Sequence, residues 1–443
     1  MKIERVILEG FKSFRERTEV PLGSLTLLAG ANSSGKSTIM QTLLLMKQTL
    51  ESGFDPGPLL ISGQNVVFSN TGQMFWSAPG ERREQITLGL KISEEREKAG
   101  YEVQLERQKG AATPLQIVRA VIHYKDGPSV TLSPALTTEQ QASYEKRFQQ
   151  GPDKRLLSQW GENLDVHFEV QRDRFFLYVD VKLVHAQSGE IAANLGSGFL
   201  DDNRTRFLVE RAVRGIIHVP GLRGNPRRTY PVTAVERNFP GIFPDYVASV
   251  IAYWQEVAPK KASQLSDDLK ELGLTWNVKA QKLSDTEVEI QVARLPSGTR
   301  QGTRDMVSIA DVGFGLSQSL PVAVALLSAE PGELVYLEQP EIHLHPHAEY
   351  QLSRLIQRAV MRGVQVVVET HSELLLLGLQ ELVARQQFAK QSVMLHWVQR
   401  DKDGASYLTS KELDEKGGWG DVPIDFADVS LEAMSNYLNA AGG

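Results

Sequence analysis

At 443 residues, with 41% hydrophobic and 23% charged content, the chain has the make-up of a soluble globular protein with two or three lobes. Lys and Arg number 48 against 54 Asp and Glu, and this net charge of −6 argues against overall attraction to nucleic acid, while the absence of cysteine excludes disulfides, thiolate metal sites and cysteine nucleophiles. No apolar run reaches the roughly 18–20 residues of a membrane span, and Glu4, Arg5 and Glu9 break up any signal-peptide layout, so a cytoplasmic protein with no membrane partner is expected.

Residues 1–30 read as short strands ("RVILEGF", "TEVPL", "LTLLAG"), and a helix is expected from Ser37 up to Gly53. From about 85 to 190 the apolar residues alternate, as in "YEVQLERQ" and "RFFLYVDVKLVH", which predicts antiparallel strands with one wet face. A polar helical stretch at 137–150 interrupts them. Segments 203–214 and 244–257 read as helices around "HVPGLRGNPRRTYP", followed by a helix at 262–273 and a strand at 285–295. The last third alternates in the βα manner: "ELVYLE", a helix from about His347, "VQVVVETH", a helix from about Ser372, then "SVMLHWVQRD". The expected domains are 1–84 and 301–415 as two halves of one core, a β-rich insert at 85–200, an arginine-rich helical/β lobe at 201–300, and a tail at 416–443.

The strongest local signal is "LTLLAGANSSGKST". Gly30 through Ser37 fits G-x-x-x-x-G-K-[ST] between an apolar strand and a helix. Such a loop turns its N–H groups toward phosphate oxygens, which casts Gly30, Asn32, Ser33, Ser34, Gly35, Lys36, Ser37 and Thr38 as a phosphate-binding set and leaves kinases, GTPases and motors all open. Lys36 is expected at the β/γ-phosphates and the Ser37 hydroxyl on Mg²⁺. "GELVYLE" supplies a second buried strand ending in an acid, Glu338, as the other metal partner. His371 follows a third apolar strand, where it can sense a γ-phosphate, and "DVGFGLSQSLP" (311–321) is a Gly/Ser loop opening a helix. Three alternate histidines, His343, His345 and His347, invite a metal reading, but a following Pro and the lack of cysteine favour interface or structural roles.

Taken together, "GFKSF" (10–14), "GANSSGKST", "GFGLSQSLP", "LEQPEIHLHP" and "ETHSELLLL" resemble the ABC-like ATPases of the AAA-15/OLD group, relatives of the SMC and Rad50 heads. "HVPGLRGNPRRTYP" and "GWGDVPIDF" (418–426) carry the resemblance further. It implies an α/β P-loop NTPase of the ABC/SMC-head type, with a mixed central sheet, a β-rich insert and a helical signature lobe. Two heads of such proteins sandwich ATP, so Ser317 and Gln318 would reach the nucleotide of a partner copy. His371 would be the switch histidine, and "HLHP" (343–346) would lie at the interface. A homodimer or higher even-numbered oligomer is implied. So is an ATPase without the C-terminal Toprim nuclease of OLD proteins, gating a nuclease or toxin-like effector in trans in bacterial anti-phage or plasmid defence.

Relatives commonly read Glu-Glu-Pro-Glu where this chain reads Glu338-Gln339-Pro340-Glu341. An amide cannot accept a proton from water, but it can orient one. Glu338, Gln339, Glu341 and His371 are therefore the expected catalytic group, with Gln339 positioning water, His371 or Glu341 helping, and slow turnover. A natural glutamine and an introduced Glu→Gln exchange leave the same letters. The eight arginines between Asn203 and Arg237 leave a second reading open, a clamp sensing DNA or RNA through Arg204, Arg206, Arg223, Arg227 and Arg228, balanced against arginines paired with carboxylates.

Overall fold

Three aliphatic runs, Leu25–Ala29, Leu334–Glu338 and Gln365–Glu369, are buried along nearly their whole length. Strands of this kind belong in a parallel sheet covered on both faces. In the computed structural model they do lie side by side. The sheet order is Ile217–Val219, Leu334–Glu338, Gln365–Glu369, Leu25–Ala29, Val393–Arg400, Ser406–Glu412. The first five strands are mutually parallel, and Ser406–Glu412 returns antiparallel at the edge, which makes the sheet mixed. The structure describes residues 1–94, 97–108, 110, 114–124, 129–150, 164–196, 203–296, 305–420, 436 and 439, so most of the expected tail, including 421–426, lies outside the described residues.

The chain divides into two units, residues 1, 3–20 and 41–214 in one and residues 2, 21–40 and 215–443 in the other. The second unit holds the mixed sheet, with helices Phe314–Ser328, Pro346–Met361 and Glu373–Ala384 between its strands. Two of these helices begin on capping side chains. Ser372 accepts from Leu375 N–H at 3.0 Å, and His345 accepts from His347 N–H at 3.3 Å with Pro346 opening the first turn. Helices Val247–Val257 and Pro259–Glu271 and a small antiparallel sheet (Tyr230–Pro231, Glu287–Ala293, Val278–Lys282, Met306–Ser308) complete the unit. Phe243, Trp254, Leu265, Leu320, Val335 and Ile356 share its core.

In the first unit a six-stranded sheet runs Thr18–Pro21, Lys2–Glu9, Gln85–Glu94, Glu97–Arg107, Leu115–His123, Val130–Leu132, and a three-stranded antiparallel sheet runs Leu164–Asp173, Phe176–His185, Ile191–Gly196. The expectation of one wet face holds for Leu115–His123 but not for its neighbours. Gln85–Glu94 and Glu97–Arg107 each bury five successive residues, because helix Asn203–Arg214 packs across both. The polar Glu102 inside this sheet is satisfied by Arg17 and His123, each at 2.7 Å.

Candidate nucleotide site

The site is built entirely in the second unit, at the C-terminal ends of the parallel strands. This is where ligands bind in open α/β sheets. Leu25–Ala29 ends in Gly30, whose φ of 136° lies in the left-handed half of conformational space and where a Cβ would stand 2.2 Å from the Val398 carbonyl oxygen. Ser33 (φ 61°) and Gly35 (φ 109°) complete the curl, and Ser406 Oγ donates to the Ser34 carbonyl at 2.5 Å, pinning the loop to the sheet edge. Lys36 reaches back over the loop and donates to the carbonyls of Gly30 and Ala31 at 3.0 and 2.8 Å. Burial holds its ammonium below the ordinary lysine range, with Glu369 and Glu341 pulling the other way. Asn32 and Ser33 are exposed at the tip, while Ser34 and Thr38 are buried.

Sheet register places Glu338 beside Glu369, and Glu369 beside Leu28 of the loop strand. Glu338 accepts from His218 Nε2 at 3.1 Å and from Gly221 N–H at 3.0 Å. Burial acts to raise its carboxyl, but His218 and Gly221 outweigh it and hold the group below the usual range. Glu369 accepts from Ser37 Oγ at 3.0 Å and from the Tyr336 hydroxyl at 3.1 Å. Burial, opposed by Ser37 and assisted by neighbouring Glu338, pushes its carboxyl up. Glu341 accepts from Thr370 Oγ1 and from His371 N–H, both at 2.8 Å. Its Oε2 is buried with no hydrogen-bond partner among the described residues, and burial raises this carboxyl as well. His371 is held below the ordinary imidazole value by burial and by Lys36.

Gln339 sits at the turn out of the acid strand with φ 41°, an uncommon conformation for a side-chain-bearing residue. Its N–H donates to the Glu369 carbonyl at 2.7 Å, tying the acid turn to the histidine strand. Gly221 lies alongside, and a Cβ there would be 3.7 Å from Gln339 Oε1. Arg223 locks this turn from the other side. It donates to the carbonyls of Glu338 (2.8 Å), Gln339 (3.2 Å) and Gln318 (3.1 Å). Gln318 answers by donating to Gly224 O at 2.8 Å, and the Ser317 hydroxyl bonds to Phe314 O at 3.0 Å. The glycine-rich start of helix Phe314–Ser328 meets the "HLHP" turn directly. A Cβ on Gly315 would stand 2.9 Å from the His343 carbonyl, and the Phe314 ring is 6.1 Å from that of His343. Phe314 and His343, His345 and His347 are all exposed. No group of three or more His, Asp or Glu among the described residues is arranged to hold an ion.

The arginine-rich stretch is divided between the two units, and most of its arginines are engaged within the unit that holds them. Arg204 pairs with Glu97 (2.6 Å), Arg211 with Glu94 (3.0 Å), and Arg206 with Asp173 and Glu210 while lying over the Phe176 ring. Arg228 pairs with Asp311 at 2.7 Å and Arg237 with Glu333 at 3.8 Å. Arg227 is exposed and donates its backbone N–H to the Tyr230 hydroxyl at 3.2 Å. The loop, Glu338, Gln339, Glu341 and His371, all expected from the sequence, are brought together at the C-terminal ends of the sheet strands. Glu369, Tyr336, His218 and the inward role of Arg223 were not expected. The signal for Glu369 was present, because "VQVVVE" ends an apolar strand in an acid as "LVYLE" does.

A phosphate loop, a parallel sheet and buried carboxylates at its C-terminal edge define a P-loop nucleotide-binding protein of the ATPase class. Residues 1–155 match a family described as "AAA ATPase domain", and residues 255–377 match one described as "AAA domain, putative AbiEii toxin, Type IV TA system". No curated protein matches the chain significantly. Among solved structures, an Smc head bound to the C-winged helix domain of ScpA is 15% identical, with 94% of this chain and 99% of that chain covered and a TM-score of 0.47. The SMC head domain from Thermotoga maritima is 12% identical (92% and 98% covered, TM-score 0.43), and the Smc head with an extended coiled coil from Pyrococcus furiosus, bound to the C-terminal domain of ScpA, is 12% identical (98% and 99% covered, TM-score 0.42).

Proposed function

We propose that the protein is a slow ATP-hydrolysing switch whose heads pair around ATP and thereby control a separate effector. The observation that carries this reading is the convergence of Lys36, Ser37, Glu338, Gln339, Glu341 and Glu369 on one sheet edge, with an amide where a general base is usual. The oxygen donors Ser37, Glu338 and Glu369 suit Mg²⁺, a hard cation that, when bound, neutralises charge on the β- and γ-phosphates. Lys36 and the loop N–H groups hold the phosphates. Gln339 orients the attacking water through its amide. Glu341, fixed by Thr370 and His371 N–H with one oxygen unpartnered, takes the proton. Losing the carboxylate at 339 leaves positioning intact but weakens proton removal, which favours a long-lived ATP state.

Head pairing draws support from the exposed start of helix Phe314–Ser328 and the adjoining exposed His343. Ser317 is the residue proposed to meet a partner's γ-phosphate; Gln318, expected beside it, is buried and donates inward to Gly224 O, so it would have to give up that bond to take part. The match to a family named for a toxin system supports an effector of nuclease or toxin type and a role in bacterial anti-phage or plasmid defence. A nucleic-acid clamp draws less support, because Arg204, Arg206 and Arg228 are paired with carboxylates and Arg223 with carbonyls. Light-scattering mass with and without Mg·ATP tests the pairing. The mass should double, or an existing even assembly should persist, with ATP, and Lys36→Ala should abolish the change. A monomer at saturating Mg·ATP contradicts the reading.

A further inference from the structure

The acceptor that the Ser37 hydroxyl meets is not the acid of the "LEQPE" motif. Its hydroxyl lies 3.0 Å from Glu369 Oε1, an end-of-strand carboxylate that no motif assigns. Glu338 is the neighbour in register, and its two oxygens are engaged by His218 and by Gly221 N–H. Building on the ATP-site reading above, we propose that Glu369 is the carboxylate that, with Ser37, contacts the nucleotide's divalent cation directly, while Glu338 acts on it through bound water.

The geometry carries this assignment. Octahedral Mg²⁺ holds oxygens at 2.0–2.1 Å, so adjacent ligands on its shell are about 2.9 Å apart. The 3.0 Å separation of Ser37 Oγ and Glu369 Oε1 matches one such edge. Two oxygens already at ligand spacing need only the hydroxyl proton to turn away for a cation to sit against both. The carboxylate is held for that role. The Tyr336 hydroxyl donates to Oε2 at 3.1 Å and fixes the rotamer, leaving lone-pair capacity on Oε1, since a carboxylate accepts about four bonds. Tyr336 and Glu369 are both buried, so the group is not free to swing into solvent. Two protein ligands suffice at such a site because phosphate oxygens and waters complete the shell, and Mg²⁺ keeps several waters. This also explains why an acid ends each of two adjacent strands. Glu369 takes the inner position, and Glu338, one strand further from the loop, takes the outer.

The test is a Mn²⁺ titration read by electron paramagnetic resonance, on the full chain with a non-hydrolysable ATP analogue. Binding of a fluorescent ATP analogue in EDTA serves as the metal-free control. Glu369→Gln keeps the side-chain shape and one acceptor oxygen but loses the charge and turns the other oxygen into an amide donor. It should weaken Mn²⁺ at least tenfold without weakening metal-free nucleotide binding. Glu338→Gln should cost less. Glu369→Asp keeps the charge but withdraws the oxygen, and it too should lose most of the Mn²⁺ affinity, which a purely electrostatic role would not produce. Mn²⁺ affinity within twofold of wild type in a folded Glu369→Gln or Glu369→Asp protein overturns the proposal. Wild-type protein that binds no nucleotide in either buffer instead overturns the ATP-site reading beneath it.

Discussion

Replacing Arg223 with methionine removes the guanidinium but keeps most of the apolar stem. Three carbonyls, those of Gln318, Glu338 and Gln339, then lose their donor. Hydrogen bonds to a charged donor contribute about 2 kcal/mol each, so the gross loss is roughly 6 kcal/mol. Burial opposes this. It pulls Arg223 from the ordinary arginine range down to about 10, with Glu341 and Glu338 only partly compensating, and that net displacement corresponds to ~3 kcal/mol of penalty that methionine does not carry. The net destabilisation is therefore about 3 kcal/mol, or roughly 6–12 °C in the melting of a unit of this size. Differential scanning calorimetry measures it directly. Arg223→Lys should recover only part of the loss, because an ammonium cannot span three carbonyls as a planar fork does. ATP affinity should fall in both variants, since the turn bearing Gln339 is no longer locked to helix Phe314–Ser328. A melting shift under about 2 °C for Arg223→Met would refute the view that this residue, rather than a surface contact to nucleic acid, holds the acid turn.

Gly30→Ala places a methyl group against the Val398 carbonyl at a φ that alanine avoids, so it should lower the melting temperature and abolish ATP binding, as read by thermal shift with and without nucleotide. Glu102 governs acid stability of the other unit. Burial alone would raise its carboxyl, but His123 and Arg17 outweigh it and hold it at about 2 against an ordinary 4.5. Because the folded value lies below the unfolded one, this carboxylate's stabilisation is fully present above pH 4.5 and fades as pH falls toward 2. With solvent screening at the exposed Arg17 discounted, it amounts to about 2 kcal/mol in wild type, and Glu102→Gln should flatten that part of the stability–pH curve in urea titrations.

The phosphate loop and its flanking strand and helix were legible in the sequence because they are local. Gly30, Lys36 and Ser37 sit within eight residues, and the glycines are required by backbone geometry. The "VYLE" and "VVVE" strands were legible as strands for the same reason. Their order was not. Ser37 meets Glu369 rather than Glu338 because Gln365–Glu369 lies between the acid strand and the loop strand, a long-range choice that no local pattern encodes. The inward role of Arg223 was not legible for a related reason. Its partners are backbone carbonyls more than ninety residues away, and carbonyls leave no trace in residue type. The wet face expected of Gln85–Glu94 failed because helix Asn203–Arg214, far along the chain, covers it.

In the proposed mechanism Gln339 orients water without removing its proton, so that bound ATP is long-lived. Single-turnover hydrolysis, with enzyme in excess over labelled ATP, tests this most directly in wild type and in Gln339→Glu. Wild-type cleavage should be slow, on the order of 10⁻² s⁻¹ or below as for enzymes that rely on a glutamine, and Gln339→Glu should accelerate it at least tenfold. Wild-type turnover of about 1 s⁻¹ or faster, or a Gln339→Glu variant that binds ATP normally but cleaves no faster, contradicts the proposed mechanism.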